Sequence, residues 1–150
     1  MHQVTSPAMT TGGGVGLGID HLRVGMIESC QRTITEANVI SFANLSGDKN
    51  PIHLNQDYAA QSRFKKRIAH GLLSASFFSA LFGTKLPGRG CVYVSQSLNF
   101  RRPVFLGDTV TAIIEIIRID KVRSRVFFKT TCTVKNKIVI DGEAEILIPD

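Results

Sequence analysis

The stretch Ile68-Ala-His-Gly-Leu-Leu-Ser-Ala-Ser-Phe-Phe-Ser-Ala-Leu-Phe-Gly83 contains no Lys, Arg, Asp or Glu. A helix that is apolar or small on every face is one that other structure encloses. Gly83 and then Pro87-Gly88 stop it. What encloses it comes later in the chain, where the pattern changes to period two and to β-branched runs. Val92–Phe100, Thr109–Ile119, Arg125–Val134 and Ile138–Ile148 read as strands. Gly107-Asp108, Lys121–Ser124 and Asn136-Lys137 are the turns between them. Connections this short imply antiparallel pairing, and so a four-strand meander. Upstream, Met26–Thr35 reads as an edge strand, and Thr35 as the N-cap of a helix over Glu36–Leu45. A short helical piece covers Gln56–Gln61. A curved antiparallel sheet around a long central apolar helix is an α+β class of fold.

At 150 residues the chain reads as one domain over 20–150, able to bury roughly 70% of its unfolded surface. Residues 1–19 include Thr10-Thr-Gly-Gly-Gly-Val-Gly-Leu-Gly18 and read as a flexible tail. Those glycines fit neither the dinucleotide nor the phosphate-loop spacing, and no strand precedes them. No apolar run approaches the ~20 residues of a membrane span. The first basic residue with a permanent charge is Arg23, so neither a secretory signal nor a transit peptide is expected. Cys30, Cys91 and Cys132 are far apart and odd in number, which suits a reducing, cytoplasmic compartment.

The net charge of +6 favours an anionic partner: nucleic acid, an acidic carrier protein or a phosphate-bearing cofactor. Zinc-finger spacing and ribonucleoprotein-type aromatics are both missing, which counts against nucleic acid. The basic residues concentrate at Arg63, Lys65, Lys66 and Arg67, and at Arg101 and Arg102. Each group is read two ways, as a solvated face or as a contact for phosphates or an acidic partner.

The chemistry concentrates in Phe42-Ala-Asn-Leu-Ser-Gly-Asp-Lys-Asn-Pro-Ile-His53. Gly47 and Pro51 break any continuous helix there, leaving Asp48, Asn50 and His53 on a shaped loop. A carboxylate and an imidazole facing one small volume can hold a water and move its protons. Alone, Gly-Asp-x-Asn-Pro is also rich in turn formers, so Asp48 has a purely structural reading. His70, at the entry of the buried helix, reads as structural rather than catalytic. Asp48, His53, Asp57 and His70 match no common zinc spacing, so no metal is expected. Phe77, Phe78, Leu81 and Phe82 read as core, with some of them expected to line an apolar slot beside the dyad.

Taken together, these motifs resemble the MaoC-like hydratases, the (R)-specific enoyl-CoA hydratases of the hot-dog fold. The resemblance runs from Val24 to about Ile148. Its most specific part is the hydratase-2 signature: Phe42, Leu45-Ser46-Gly47-Asp48, Asn50-Pro51-Ile52-His53 and Ala59. Ala69-His70-Gly71, Leu86-Pro87-Gly88 and Phe100–Asp108 follow in the family's order.

The resemblance implies hydration of a trans-2-enoyl-CoA to the (R)-3-hydroxyacyl-CoA, in fatty-acid metabolism. Asp48 and His53 would be the catalytic dyad, and Asn50 would orient it or the water. Gly71 would donate its backbone N–H to the thioester oxygen, with Ser79 in support. Helix N-termini carry unpaired N–H groups and partial positive charge, as an enolate oxygen requires. Which of Asp48 and His53 is acid and which is base is not legible, because such a pair titrates as a unit. No cofactor is implied beyond the coenzyme A of the substrate. A homodimer is implied, with substrate contacts from both subunits. An acyl carrier protein is the alternative carrier, which would make the protein a 3-hydroxyacyl-ACP dehydratase. A thioesterase or a non-catalytic acyl-binding domain fits the dyad less well.

Overall fold

The computed structural model describes residues 16–150. The remainder of the expected tail, 1–15, lies outside the described residues. Of the tail's last residues, Gly16 and Leu17 donate backbone N–H groups to Arg89 and Pro87 carbonyls. Ile19–His21 forms a single 3-10 turn.

Strand β1 (Ile27–Thr33) leads into helix α1 (Glu36–Ser46). Thr35 closes a capping box: its hydroxyl accepts from Asn38 N at 3.1 Å, and Asn38 Oδ1 accepts from Thr35 N at 2.9 Å. Gly47, at φ +82°, ends α1 in the left-handed conformation that a side chain resists. Two short helices follow, α2 (Pro51–Leu54) and α3 (Gln56–Ala60), and then the long helix α4 (Gly71–Thr84). Strands β2 (Val92–Gln96), β3 (Asn99–Phe100), β4 (Thr109–Asp120), β5 (Arg125–Val134) and β6 (Lys137–Leu147) complete the chain.

All the strands join one antiparallel sheet in the order β1-β4-β5-β6-β2, with β3 also on β6. The expected four-strand meander is therefore corrected. Strands β4, β5 and β6 do form one, but β2 crosses to the far side of β6 rather than pairing with β4. The predicted single strand Val92–Phe100 is also broken, at Ser97-Leu98. The Ser97 hydroxyl takes the N–H of Glu143 at 2.9 Å, interrupting the ladder. The chain there lies so close to β6 that a Cβ on Gly142 would collide with the Ser97 carbonyl. Bulges in β4 and β5, at Ile116/Arg118 and Cys132/Thr133, bend the sheet around the helix.

On β4 the alternation buries Val110, Ala112, Ile114 and Ile116, and on β5 Val126, Phe128, Thr130 and Cys132. Helix α4 meets them with Ser74, Phe78, Leu81 and Phe82, Phe82 standing edge-on to Phe128 at 4.7 Å. Burying a side chain such as Phe82 is worth about 1.5–3 kcal/mol. The prediction that α4 is enclosed on every face is corrected for the single chain: Leu72, Ser76, Ser79 and Ala80 form an exposed stripe along it. No helix of the described residues is long and apolar enough to cross a membrane.

Candidate active site

The segment after α1 is built from side chains that bond their own backbone. Ser46 Oγ accepts from Asp48 N, Asp48 Oδ1 from Asn50 N, and Asn50 Oδ1 from Ile52 N, at 3.1, 3.2 and 3.2 Å. This succession of turns reverses the chain and seeds α2, with Asn50 as its N-cap and Pro51 in the first turn. His53 is therefore on a helical turn, one step beyond the loop predicted to carry it. Asn50 caps the helix that carries His53 and does not line the cavity.

His53 is 8% exposed. Its Nδ1 lies 2.7 Å from the carbonyl oxygen of Ile68. A carbonyl only accepts, so Nδ1 bears the hydrogen and Nε2 bears the lone pair. That Nε2 is 3.8 Å from Asp48 Oδ2. A water about 2.8 Å from both would be held at an angle of roughly 85°, a geometry that lets it donate to each. Burial holds the imidazole below the usual histidine value, and the neighbouring His70 adds to this. The Ile68 carbonyl and the Asp48 carboxylate pull the other way.

Opposite the dyad, Ile68-Ala69-His70 runs extended, with Ala69 N bonded to Val104 O at 2.7 Å, before α4 begins at Gly71. His70 is the N-cap but puts no side-chain bond on its own helix. The Gly71 N–H, as the first of α4, has no carbonyl one turn earlier to receive it. A Cβ at Gly71 would fall 2.6 Å from Phe100 Cδ1, so glycine lets that ring lie against the start of the helix.

Asp48, His53, His70 and Gly71 line one cavity of about 640 Å³. Its apolar walls include Phe42, Phe64, Leu72, Phe100, Val104 and Ile140. The expected slot lining is corrected accordingly: Phe78, Leu81 and Phe82 face the sheet, and Phe77 packs on the same core. The period of one helix carries no information about walls drawn from α1, α4, β3, β6 and the connections between them. His70, read from the sequence as structural rather than catalytic, lines the same cavity. It stacks on His53 with ring centroids 3.8 Å apart and touches Phe42 at 4.8 Å.

Of the basic residues, Arg63, Arg101 and Arg102 line the cavity; Lys65, Lys66 and Arg67 do not. Arg67 is spent on structure, donating to His53 O and to Glu36 Oε1, both at 2.7 Å. Lys66 sits over the Phe105 ring at 4.6 Å. Arg101 pairs with Asp141, and that hydrogen bond pulls the Asp141 carboxyl below its usual range. Arg102 bonds the Ile138 carbonyl. Arg63 lies over Phe64 at 5.0 Å and has no acidic partner among the described residues. Ser79 is on the exposed stripe of α4 and does not line the cavity. Side-chain donor atoms of Asp48, His53 and His70 lie within 4.8 Å of one another, whereas Asp57 is not among them.

A bent antiparallel sheet on a long helix, with a carboxylate and an imidazole sharing a largely apolar cavity with that helix's first residue, defines a hot-dog fold. The chain belongs to the MaoC-like domain family, whose model matches residues 26–141. It is 49% identical to an (R)-specific enoyl-CoA hydratase of Rhodospirillum rubrum, over 87% of this chain and 90% of that one. It is 44% identical to a 3-hydroxybutyryl-CoA dehydratase of Methylorubrum extorquens, over 89% and 85%. The solved (R)-hydratase of A. caviae, described as involved in PHA biosynthesis, superposes with a TM-score of 0.84 at 38% identity, covering 86% of this chain and 98% of its own.

Proposed function

We propose that this protein is a hydro-lyase that adds water reversibly to a trans-2-enoyl-CoA, giving the (R)-3-hydroxyacyl-CoA. One observation carries the reading. The His53 Nε2 and the Asp48 carboxylate lie 3.8 Å apart in the same cavity that Gly71, the first residue of α4, also lines, its N–H without a backbone partner among the described residues.

The thioester oxygen would accept from Gly71 N–H, so that the negative charge developing there meets a preorganised donor. Removing one such donor elsewhere costs about 2.7–4 kcal/mol of transition-state stabilisation. His53 Nε2 takes a proton from the water as its oxygen bonds C3, and the C2–C3 π electrons move toward the thioester. Asp48 holds the second water hydrogen and offsets the charge gained by the imidazole. The pair then returns a proton to C2, so it ends as it began. Addition from one side of the double bond follows from one water and one pair. The acyl tail lies among Phe42, Leu72, Val104 and Ile140.

No metal or separate cofactor enters this reading. Imidazole lone pairs lie in the ring plane, so the stacked His53 and His70 do not aim at one ion. The unpaired guanidinium of Arg63 at the cavity suits a phosphate of the thiol carrier. The same charge would serve an acyl carrier protein, and comparing kcat/KM on enoyl-CoA and enoyl-ACP decides between them. A large preference for the protein-bound substrate would overturn the coenzyme reading. A second copy of the chain suits the small, exposed stripe of α4 and the free edge of β2, where Val92, Tyr93 and Val94 are exposed. Scattering at micromolar concentration should give twice the chain mass; a monomer would count against it. The thiols of Cys91 and Cys132 are pushed up by burial, Cys132 to about 12. Such inert thiols suit a cytoplasmic setting.

The test of the activity is crotonyl-CoA hydration, followed at the enoyl absorbance with chiral analysis of the product. Formation of (R)-3-hydroxybutyryl-CoA is expected. Release of free thiol, or an (S) product, would overturn the proposal.

A further inference from the structure

His70 is 97% buried by its 3% exposure, yet it neither caps its own helix nor belongs to the acid–base pair. Its Nε2 lies 2.9 Å from the backbone carbonyl of Asp48, across 22 residues of chain. Because that carbonyl accepts, Nε2 bears the hydrogen and the lone pair is on Nδ1. Nδ1 is buried and has no protein partner among the described residues. The ring therefore has one directional bond, and it is to the residue that supplies the carboxylate. One face of the ring stacks on His53, and the next residue in the chain is Gly71.

We propose that His70 is a positioning residue, which joins the loop of Asp48, the ring plane of His53 and the N–H of Gly71 into one fixed geometry. The inference rests on the dyad-and-oxyanion reading above. Asp48 belongs to the turns after α1 and Gly71 to α4, and α1 and α4 share no strand or cap. The other bonds between these segments, His53 to Ile68 O, Ile68 N to Ile52 O and Arg67 to His53 O, all hold α2 and none reaches Asp48, whose remaining bonds to Ser46 and Asn50 are within its own turn. A displacement of about 1 Å between reacting groups can cost on the order of 100-fold in rate. The inference therefore predicts an effect on turnover rather than on substrate affinity.

Two variants separate the hydrogen bond from the packing. His70→Phe keeps a ring to stack on His53 and deletes the donor. His70→Gln keeps an amide N–H that reaches to about the position of Nε2 and deletes the ring. Steady-state kinetics on crotonyl-CoA should show kcat about 10–100-fold lower for H70F, with KM changed less than about threefold. H70Q should recover to within about fivefold of the parent. Full activity in H70F would reduce His70 to a packing residue and overturn the proposal. So would an H70Q as inactive as H70F, since the donor would then not be the operative feature.

Imidazole nitrogen NMR on the unmodified protein gives a readout independent of folding in the variants. It should find His70 protonated on Nε2 and His53 on Nδ1. A His70 found with its hydrogen on Nδ1 would also overturn the inference. If Asp48→Asn and His53→Ala both retained full hydration, the underlying dyad reading would fall instead, whatever the His70 variants did.

Discussion

The Nδ1 of His53 is 2.7 Å from Ile68 O, while its Nε2 is 3.8 Å from Asp48 Oδ2. The first distance decides what the second can do. A backbone carbonyl holds the ring hydrogen on one nitrogen, so the other presents a lone pair on the side of the Asp48 carboxylate, at a spacing one water would bridge. The tautomer is thereby set by a residue fifteen positions downstream.

Removing either member of this pair should disable turnover without unfolding the chain. Asp48→Asn and His53→Ala are each expected to lower kcat for crotonyl-CoA hydration by about 10²–10⁴-fold. The double variant should lose little more than the worse single one, because the groups act together. Circular dichroism on the same samples checks the fold. Near-native hydration by either single variant would remove the assignment.

The pH dependence follows from His53. Burial holds its folded-state pKa below the ordinary histidine value of 6.5, so the neutral form persists to lower pH than a free histidine would allow. The acid limb of kcat/KM should therefore fall below 6.5, and in Asp48→Asn it should fall lower still, since the carboxylate raises this pKa. The same shift carries a stability consequence. Between the folded-state pKa and 6.5 the unfolded chain binds more protons at this site, so stability rises with pH across that window. Above it the contribution is complete; as pH falls through it, the contribution is lost. Denaturant titrations at several pH values, comparing the parent with His53→Ala, measure the difference. An acid limb above 6.5 would contradict the burial argument.

Gly71 is constrained by space. A Cβ there meets the Phe100 ring, which is 54% exposed and has room to swing away. Gly71→Ala should therefore fold, with kcat reduced about 10-fold as the methyl and the Phe100 ring crowd the start of α4, the proposed oxyanion donor. Adding Phe100→Ala should restore much of that loss, because the ring is what the methyl displaces. If the second substitution brought no recovery, the steric account would be wrong.

Thr35 tests the local code at α1. Thr35→Ala removes the hydroxyl that accepts from Asn38 N and should cost about 1 kcal/mol. In a chain of this size that is about 3 °C in Tm. A thermal melt measures it, with kcat unchanged because Thr35 does not line the cavity.

The legible parts were those where neighbours in sequence are neighbours in space. Thr35, Gly47 and the alternation of β4 and β5 act through bonds spanning a few residues, and they stand in the structure where the sequence puts them. The Asp48–His53 pairing was legible for the same reason. The course of β2 was not, since a strand's partner depends on where the sheet closes, and Ser97 against Gly142 is a contact between distant segments. The basic residues look alike in sequence. Only their partners separate Arg67, spent on Glu36 and the His53 carbonyl, from Arg63, left unpaired at the cavity.

By itself, then, the sequence determined a long uncharged helix, an antiparallel sheet to pack against it, and a carboxylate and an imidazole on one short reversal of chain. Those follow from periodicity, capping and turn chemistry, which operate over a few residues. Tertiary structure alone decided which nitrogen of His53 is free, that His70 ties Asp48 to the start of α4, and which apolar side chains wall the cavity. Each of these rests on contacts across 15 residues or more, at His53–Ile68 and His70–Asp48. Local propensity carries no information about such distances; packing does.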